Sequence, residues 1–155
     1  MKAILIPLSC IFLLTACDKK EDTQQTNNNP GSTTTSFSGT MHDTAFTADY
    51  FQNAYPGPLL QLYANETSTN RSVTLTIDTK DMGTHTMTTV LNGTSASCQA
   101  GGGLGFYSIH GSGHGSITIS ASSANSVSGT FSFTGYNFAG TDSVVVSGQF
   151  NNMTF

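Results

Sequence analysis

The chain has 155 residues and a net charge of -4, with only 9% charged residues, a length that suits one domain rather than two. With 37% hydrophobic residues and little charge, it falls outside the charge-driven disordered class. Past residue 35 the basic side chains are Arg71 and Lys80, so the cluster of cations that nucleic-acid binding requires is missing. We therefore expect a small β protein with a hydroxyl-rich surface and no nucleic-acid partner.

Residues 1–16 have the pattern of a secretory signal peptide. Lys2 precedes an apolar run from Ala3 to Leu14, which as a helix would reach about 18 Å at about 1.5 Å per residue. This is too short to span a hydrocarbon core of about 30 Å, but it suits the core of a signal peptide. Residues 14–17, LTAC, resemble the lipobox of bacterial lipoproteins, which implies cleavage before Cys17 and a lipid on its thiol. The alternative is an ordinary signal peptide that happens to end in a cysteine.

The residues after Cys17 indicate in which membrane the protein is located and how far the linker extends. Lys20, Glu21 and Asp22 resemble the short export signal of Bacteroidota-type lipoproteins, which implies the outer face of the outer membrane. The alternatives are that these residues only begin a linker, or that Asp18 directs retention at the inner membrane, as it would in other lineages. Residues 17–35 have the polar, low-complexity composition of a flexible linker, with a reach of about 20–25 Å.

Residues 36–155 are predicted to form a single all-β domain, an antiparallel meander of about nine or ten strands. In residues 71–78, three apolar side chains share one parity and threonines share the other, which is the period of a strand with one buried face. The inward residues predicted in this way are Val73, Leu75, Ile77, Ile117, Ile119, Ala121, Val127, Phe131 and Phe133. Further strands are predicted at 36–41, 44–51, 59–65, 84–91, 105–110 and 143–150. Such a chain closes as a β-sandwich or a flattened barrel, and the pattern does not choose between them.

Residues 125–133 follow the pattern Asn-x-Val-Ser-Gly-Thr-Phe-x-Phe, and a later strand carries Gly148 and Phe150. Together with residues 36–48, SFSGTMHDTAFTA, this pattern resembles a family of small Bacteroidota-type lipoproteins of unknown function. The resemblance implies a β fold and an envelope location, and it implies no activity. We expect the phenylalanines of the pattern in the core and Gly129 at a bulge or a close backbone approach.

Residues 49–56, DYFQNAYP, are the strongest binding candidate. Aromatic rings interleaved with amides suit a sugar or a peptide, because rings stack on a ligand while amides orient it. We predict that Tyr50, Phe51, Asn53 and Tyr55 bind a ligand. The alternative is a segment that simply covers one end of the sheet.

Candidates for metal binding and nucleophilic catalysis are weak. His110 and His114 flank a Gly-Ser-Gly turn, where a metal site completed by His42 or an aspartate is the alternative to an exposed hairpin tip. Cys98 is either a nucleophile paired with His85 or His110, or a small buried hydrophobe, and we favour the second interpretation.

Two further patterns are interpreted as structural. The glycine run at 101–105 precedes an expected strand rather than a helix, so we predict a loop and no phosphate site. A hydrolase with paired carboxylates is disfavoured because the acids of the domain lie mostly at turns, where an aspartate bonds its own backbone. These acids are Asp43, Asp49, Glu66, Asp78, Asp81 and Asp142, of which Asp78 and Asp81 specify too few oxygens for Ca²⁺.

The sequence therefore predicts a lipoprotein that is not an enzyme and needs no cofactor, held to a membrane by its lipid. Its β domain is expected to bind a glycan or a protein. The alternative is a periplasmic inhibitor or immunity lipoprotein whose acidic face blocks a basic active site. A hydrolase is the least favoured function. The expected location is the outer membrane, at the cell surface or on the periplasmic face.

Overall fold

The computed structural model describes residues 34–90, 92–110 and 114–155, which form strands and turns and no helix. The strands in chain order are β1 (Ser36–Met41), β2 (Thr44–Thr47), β3 (Tyr50–Ala54), β4 (Leu60–Glu66), β5 (Arg71–Ile77), β6 (Gly83–Thr86), β7 (Ser95–Ala100), β8 (Gly105–Tyr107), β9 (His114–Ser122), β10 (Ser126–Tyr136) and β11 (Ser143–Thr154). Accordingly, these residues contain no helix that could cross a membrane.

All eleven strands belong to one curled antiparallel sheet, which forms a half-barrel. Along the main path the order is β2-β1-β11-β10-β8-β7-β5-β4-β3, and β9 and β6 branch from it beside β10. This confirms the predicted all-β antiparallel class. Of the two predicted architectures, a single curled sheet corresponds to the flattened barrel.

The strand order departs from a simple meander at β10. One edge of this strand pairs with β11, whereas the other edge pairs with two shorter strands, β9 and β8. Residues 127–134 of β10 pair with β9, whereas Tyr136 pairs with Tyr107 of β8. β9 then pairs with β6, so β6 joins the sheet through β9 and leaves β5 to pair with β7.

Several strand boundaries differ from the prediction. Ala48 and Asp49 divide the predicted strand 44–51 into β2 and β3, and β6 and β8 end earlier than predicted. The sequence does not predict β7 as a strand, because SASCQA consists of small and polar residues with weak strand preference. This strand forms because β5 and β8 pair with it on either side.

The predicted inward alternation is confirmed in β5, β9 and β10 by side chains that are all buried: Val73, Leu75, Ile77, Ile117, Ile119, Val127, Phe131 and Phe133. Ala121 is exposed, contrary to the prediction. The register of β9 on β10 shifts by one residue at Ser120, since Ile119 pairs with Gly129 but Ala121 pairs with Ser128. A β-bulge of this kind turns the next side chain to the other face of the sheet, so Ala121 leaves the core.

The C-terminal motif packs each of its two glycines against a phenylalanine on the neighbouring strand. Gly129 of β10 pairs with Phe150 of β11, and Phe131 of β10 pairs with Gly148. A Cβ on Gly129 would lie 2.1 Å from the Thr118 carbonyl oxygen and 2.7 Å from the Phe150 ring, and one on Gly148 would lie 2.8 Å from the Phe131 ring. The glycines therefore leave the space that the two rings occupy, which confirms the close approach predicted at Gly129.

A polar clasp joins β2, at one end of the main path, to the β4–β5 hairpin near the other end. Asp49 accepts hydrogen bonds from the backbone N–H of Thr67 at 3.0 Å and from its hydroxyl at 2.7 Å. Glu66 accepts one from the backbone N–H of Thr47 at 3.1 Å and one from Nε of Arg71 at 2.9 Å. We call Asp49, Glu66, Thr67 and Arg71 the clasp, because they link β2 and the β2–β3 junction to the end of β4 and the start of β5.

The clasp is reinforced by its neighbours and holds its carboxylates in the ionised form. Arg71 also donates to the carbonyl of Ala45, and its guanidinium carbon lies 5.8 Å from the centre of the Phe46 ring. Hydrogen bonds from Thr69 and Arg71 lower the pKa of Glu66 to about 2, and the Thr67 hydroxyl lowers the pKa of Asp49. Both carboxylates therefore favour the folded state while they are ionised.

Candidate functional site

The outer face of β4, β5, β7 and β8 carries a shallow groove of about 290 Å³ between two tyrosines. Tyr63 lies on β4 and Tyr107 on β8, and the register aligns Tyr63 with Thr74, Thr74 with Ser97 and Ser97 with Tyr107. Because neighbouring strands lie about 4.8 Å apart, three strand spacings separate the tyrosine Cα atoms by about 14 Å. We call this the outer groove; it is lined by Tyr63, Ser72, Thr74, Ser97, Cys98, Gln99, Gly105 and Tyr107.

Strand alternation explains why most of these side chains face outward; Cys98, which is buried on the inner face of β7, is the exception. Leu62, Leu75, Ala96 and Phe106 are buried on the inner face, so the residues between them point to the opposite side. The core therefore fixes which residues form the floor of the outer groove.

The floor of the outer groove carries polar groups that the fold does not use. Within the described residues, the side chains of Ser72, Thr74, Ser97 and Gln99 form no hydrogen bond with another protein group. Asn65 pairs with Ser72 across β4 and β5, and its buried Oδ1 has no hydrogen-bond partner among the residues that the structure describes. The hydroxyls of Thr74 and Ser97 and the amide of Gln99 remain available to a ligand, whereas Asn65 Oδ1 and Ser72 are buried.

The two tyrosines are held in place by their neighbours. The ring of Tyr107 lies over Gly105, since a Cβ on Gly105 would be 2.8 Å from the tyrosine hydroxyl oxygen. Tyr63 packs edge to face against Tyr50 of β3, with ring centroids 6.3 Å apart. Tyr107 is 39% exposed and Tyr50 is 49% exposed, so aromatic surface lies open on both sides of the floor.

This arrangement suits a sugar. The apolar C–H face of a pyranose stacks on an aromatic ring, while its hydroxyls exchange hydrogen bonds with serine, threonine and amide groups. Among the described residues that line the outer groove there is no Lys, Arg, His, Asp or Glu, so its chemistry matches an uncharged ligand.

A second depression, of about 380 Å³, lies at the β1–β2 hairpin and is lined by Met41, His42, Thr44, Thr69, Arg71 and Ala100. The guanidinium of Arg71 is engaged in the clasp, because it pairs with Glu66 and donates to the carbonyl of Ala45. The depression therefore offers a ligand fewer free polar groups than the outer groove.

Residues 33–154 match the model of a family of uncharacterised domains, the domain of unknown function DUF6252. The chain belongs to this family. Searches of curated proteins and of solved structures gave no match. The match of the DUF6252 domain covers every strand from β1 to β11, and it confirms that the chain belongs to an uncharacterised family, as the resemblance implied.

The DUF6252 domain divides the predicted ligand-binding segment between two faces of the sheet. Tyr50 faces outward beside Tyr63 and so borders the outer groove. Phe51 and Asn53 face inward, because they pair with Ala64 and Leu62, whose side chains are buried. Of the four predicted residues, only Tyr50 therefore lies beside the outer groove.

The inward and terminal residues of that segment have structural contacts. Nδ2 of Asn53 donates to the carbonyl of Thr154 at 3.0 Å, which links β3 to the end of β11. Tyr55 lies beyond β3, where its ring is 5.6 Å from that of Phe155 and 5.4 Å from the Lys80 ammonium nitrogen. Tyr50 and Tyr55 are five residues apart, which in an extended strand corresponds to about 17 Å.

The histidines proposed as weak metal ligands have different surroundings. His110 stacks edge to face between Tyr107 and Phe138, whereas His114 begins β9 and pairs with Thr134. Among residues 34–90, 92–110 and 114–155, no group of three or more His, Cys, Asp or Glu side chains could hold a metal ion.

Cys98 lies on the inner face of β7 and is buried, which matches the interpretation of a small hydrophobe. Burial raises the pKa of its thiol to about 12, so the nucleophilic thiolate is disfavoured. His85 contacts Asp78 at 3.4 Å through Nδ1 and the carbonyl of Asp81 at 2.9 Å through Nε2. His85 is thus held by residues other than Cys98.

The remaining candidates are loops and turns. Gly101, Gly102 and Gly103 have positive φ angles of 89°, 64° and 82° and lead into β8, which confirms the predicted loop. Asp49 and Glu66, by contrast, come together in the clasp, a pairing that the turn interpretation did not predict. Cys17, Lys20, Glu21 and Asp22 lie outside the described residues.

Sequence reasoning missed the outer groove. One signal was present: Tyr63 has the outward parity of its strand, flanked by Gln61 and Asn65. Its alignment with Tyr107, however, requires that β7 is a strand and that it pairs with β5, and local sequence shows neither.

Proposed function

We propose that the protein is a lipid-anchored envelope lipoprotein whose DUF6252 domain binds a neutral glycan in the outer groove and catalyses no reaction. The observation that carries the proposal is the uncharged, hydroxyl-bearing floor between Tyr63 and Tyr107. Both tyrosines offer ring surface, and the floor offers donors and acceptors that no protein group uses.

A glycan suits this surface better than a protein partner does. A stable protein interface buries about 800 Å² on each side and is centred on well-packed apolar residues. The floor of the outer groove consists instead of Ser72, Thr74, Ser97 and Gln99, which form a polar strip one to two residues wide. Such a strip fits the width of a sugar chain.

The absence of catalysis is proposed from the groups that surround the outer groove. Hydrolysis of a glycosidic bond ordinarily requires two carboxyl groups at the scissile bond. The lining residues in the described part of the chain include no carboxylate, and Asp49 and Glu66 are engaged in the clasp.

The anchor is proposed from the sequence alone. The basic residue, apolar run and four-residue box that end at Cys17 support lipidation, and Lys20, Glu21 and Asp22 support export to the cell surface. Several acyl chains hold a protein firmly to a membrane, whereas one chain does so only marginally. A surface anchor would place the DUF6252 domain where extracellular or envelope glycans are present.

The binding proposal is tested by affinity electrophoresis of the full chain through gels that contain one polysaccharide each. Neutral probes are β-1,3-glucan, xylan, α-mannan and amylose, and acidic probes are alginate and polygalacturonate. We expect retardation by at least one neutral polymer and by neither acidic one. Retardation by the acidic polymers alone, or by none of the six, would contradict the proposal.

A further inference from the structure

Phe138 lies at the tip of the β10–β11 turn with 85% of its surface exposed. The turn is well ordered by the side chain of Asn137, whose Oδ1 accepts hydrogen bonds from the N–H groups of Thr141 at 2.9 Å and Asp142 at 3.3 Å. The backbone N–H of Asn137 also donates to the carbonyl of Asp142 at 3.0 Å. An aromatic ring held in solvent by a hydrogen-bonded turn contributes nothing to the core, which suggests a role in binding.

Phe138 is linked to the outer groove by a row of rings. The ring of Phe138 lies 5.3 Å from that of His110 at an interplanar angle of 76°, and His110 lies 5.5 Å from Tyr107 at 88°. Tyr107 is itself one wall of the outer groove. The three rings therefore continue the binding face from the groove to the end of the sheet.

We propose that the ligand is an extended chain of several sugar rings, which occupies the outer groove and continues along Tyr107 and His110 to Phe138. This inference rests on the proposed glycan binding. The outer groove, at about 290 Å³, is at the lower limit of about 300 Å³ for ligand pockets, so it encloses only a small part of a long ligand. The row of rings supplies further stacking surface for sugars that the groove does not hold.

The location of Phe138 favours a polymer over the membrane that would hold the lipid. Ser143, next to this turn, pairs with Tyr136, whereas Asn151 pairs with Ser36 near the first described residues. Eight residues of β11 separate Ser143 from Asn151, which corresponds to about 26 Å. Phe138 therefore lies at the end of the sheet opposite to Ser36, near which the described residues begin.

The test is isothermal titration of the full chain with dimers and hexamers prepared from whichever neutral polymer of the panel is retained. We expect Phe138→Ala to weaken binding of the hexamer by about 2- to 10-fold, the contribution of one aromatic contact, and to change binding of the dimer by less than that. Phe138→Leu should weaken the hexamer similarly if stacking is responsible, and Phe138→Tyr should preserve binding. Met82→Ala removes a comparably exposed apolar side chain elsewhere and serves as the matched control.

The outcomes separate this inference from the function on which it rests. If the wild-type protein binds the hexamer and Phe138→Ala binds it equally well, the extended site is wrong and the outer groove stands alone. If the hexamer binds no more tightly than the dimer, the inference is also wrong. If no neutral polymer binds the wild type, glycan binding fails and the extension fails with it.

Discussion

Two classes of residue in this domain can be distinguished, those that pack the core and those that line the outer groove. Gly129 and Gly148 belong to the first class, since each leaves space for a phenylalanine ring on the neighbouring strand. Tyr63 and Tyr107 belong to the second, because their rings flank a floor that packing does not require. The two classes lie on opposite faces of the sheet, so they can be altered separately.

Gly129→Ala should destabilise the domain by about 1–3 kcal/mol, the usual cost of overpacking a core. The added methyl group would lie 2.1 Å from the Thr118 carbonyl oxygen, which belongs to backbone in the ladder and has little room to move. Urea denaturation followed by circular dichroism measures the change. Thr130→Ala, at the exposed neighbouring position, is the control and should lower the free energy of unfolding by less than half as much. Equal losses in the two variants would show that the Gly129–Phe150 contact is not tightly packed.

At the scale of elements, the half-barrel depends on contacts between strands that are distant in the sheet order. The clasp joins β2 and the β2–β3 junction to β4 and β5, and Asn53 links β3 to the end of β11. These contacts are polar and lie at the margin of the sheet, whereas the apolar core lies within its curve. The clasp, which contains the carboxylates of Asp49 and Glu66, should therefore respond to pH, whereas the core should not.

The stabilisation from Glu66 should be lost in acid. Its pKa falls from 4.5 to about 2 on folding, because Thr69 and Arg71 donate hydrogen bonds to the carboxylate. A pKa that is lower in the folded state stabilises the protein above the unfolded value, and this stabilisation disappears as the pH falls from 4.5 towards 2. The stability difference between wild type and Glu66→Gln should accordingly be largest near neutral pH and shrink across that range.

Urea denaturation at a series of pH values from neutral to acidic measures this difference. Asp81→Asn, which removes an exposed carboxylate away from the clasp, controls for the loss of one negative charge. A difference between wild type and Glu66→Gln that stays constant with pH would show that the ionised carboxylate does not stabilise the fold.

Alternation along single strands was sufficient to predict the all-β class and to place eight of the nine residues named as inward, because a period of two is a local property. It placed Val73, Leu75 and Ile77 correctly, and it failed at Ala121, where a bulge that depends on the partner strand reverses the parity. Alternation could not predict that β5 pairs with β7, because this pairing depends on β6 joining the sheet beside β9 instead of beside β5. Because the outer groove spans this junction, its residues were not predicted, and the ligand-binding residues were sought in β3 instead.

At the scale of the whole molecule, the first described residues and Phe138 lie at different ends of the domain. Ser36 pairs with Asn151, and the turn that carries Phe138 follows Tyr136 at the other end.

The surface location is tested by protease treatment of intact cells that carry the full chain with a C-terminal tag. We expect the wild type to be digested, and a variant with Lys20, Glu21 and Asp22 replaced by alanine to be protected, because these residues resemble an export signal. A periplasmic protein digested only after lysis is the control for membrane integrity. Protection of the wild type would contradict export and leave the periplasmic face as the location.

The measurement that tests the central claim most directly is the affinity of the wild type, Tyr63→Ala and Tyr55→Ala for the neutral polysaccharide that retards the wild type. Tyr63 forms one wall of the outer groove, whereas Tyr55 packs on Phe155 beyond the end of β3. We predict that Tyr63→Ala weakens binding by about 3- to 10-fold and that Tyr55→Ala leaves it unchanged, with both variants folded by circular dichroism. Undiminished binding by Tyr63→Ala together with a loss in Tyr55→Ala would contradict this account and place the ligand at the end of β3.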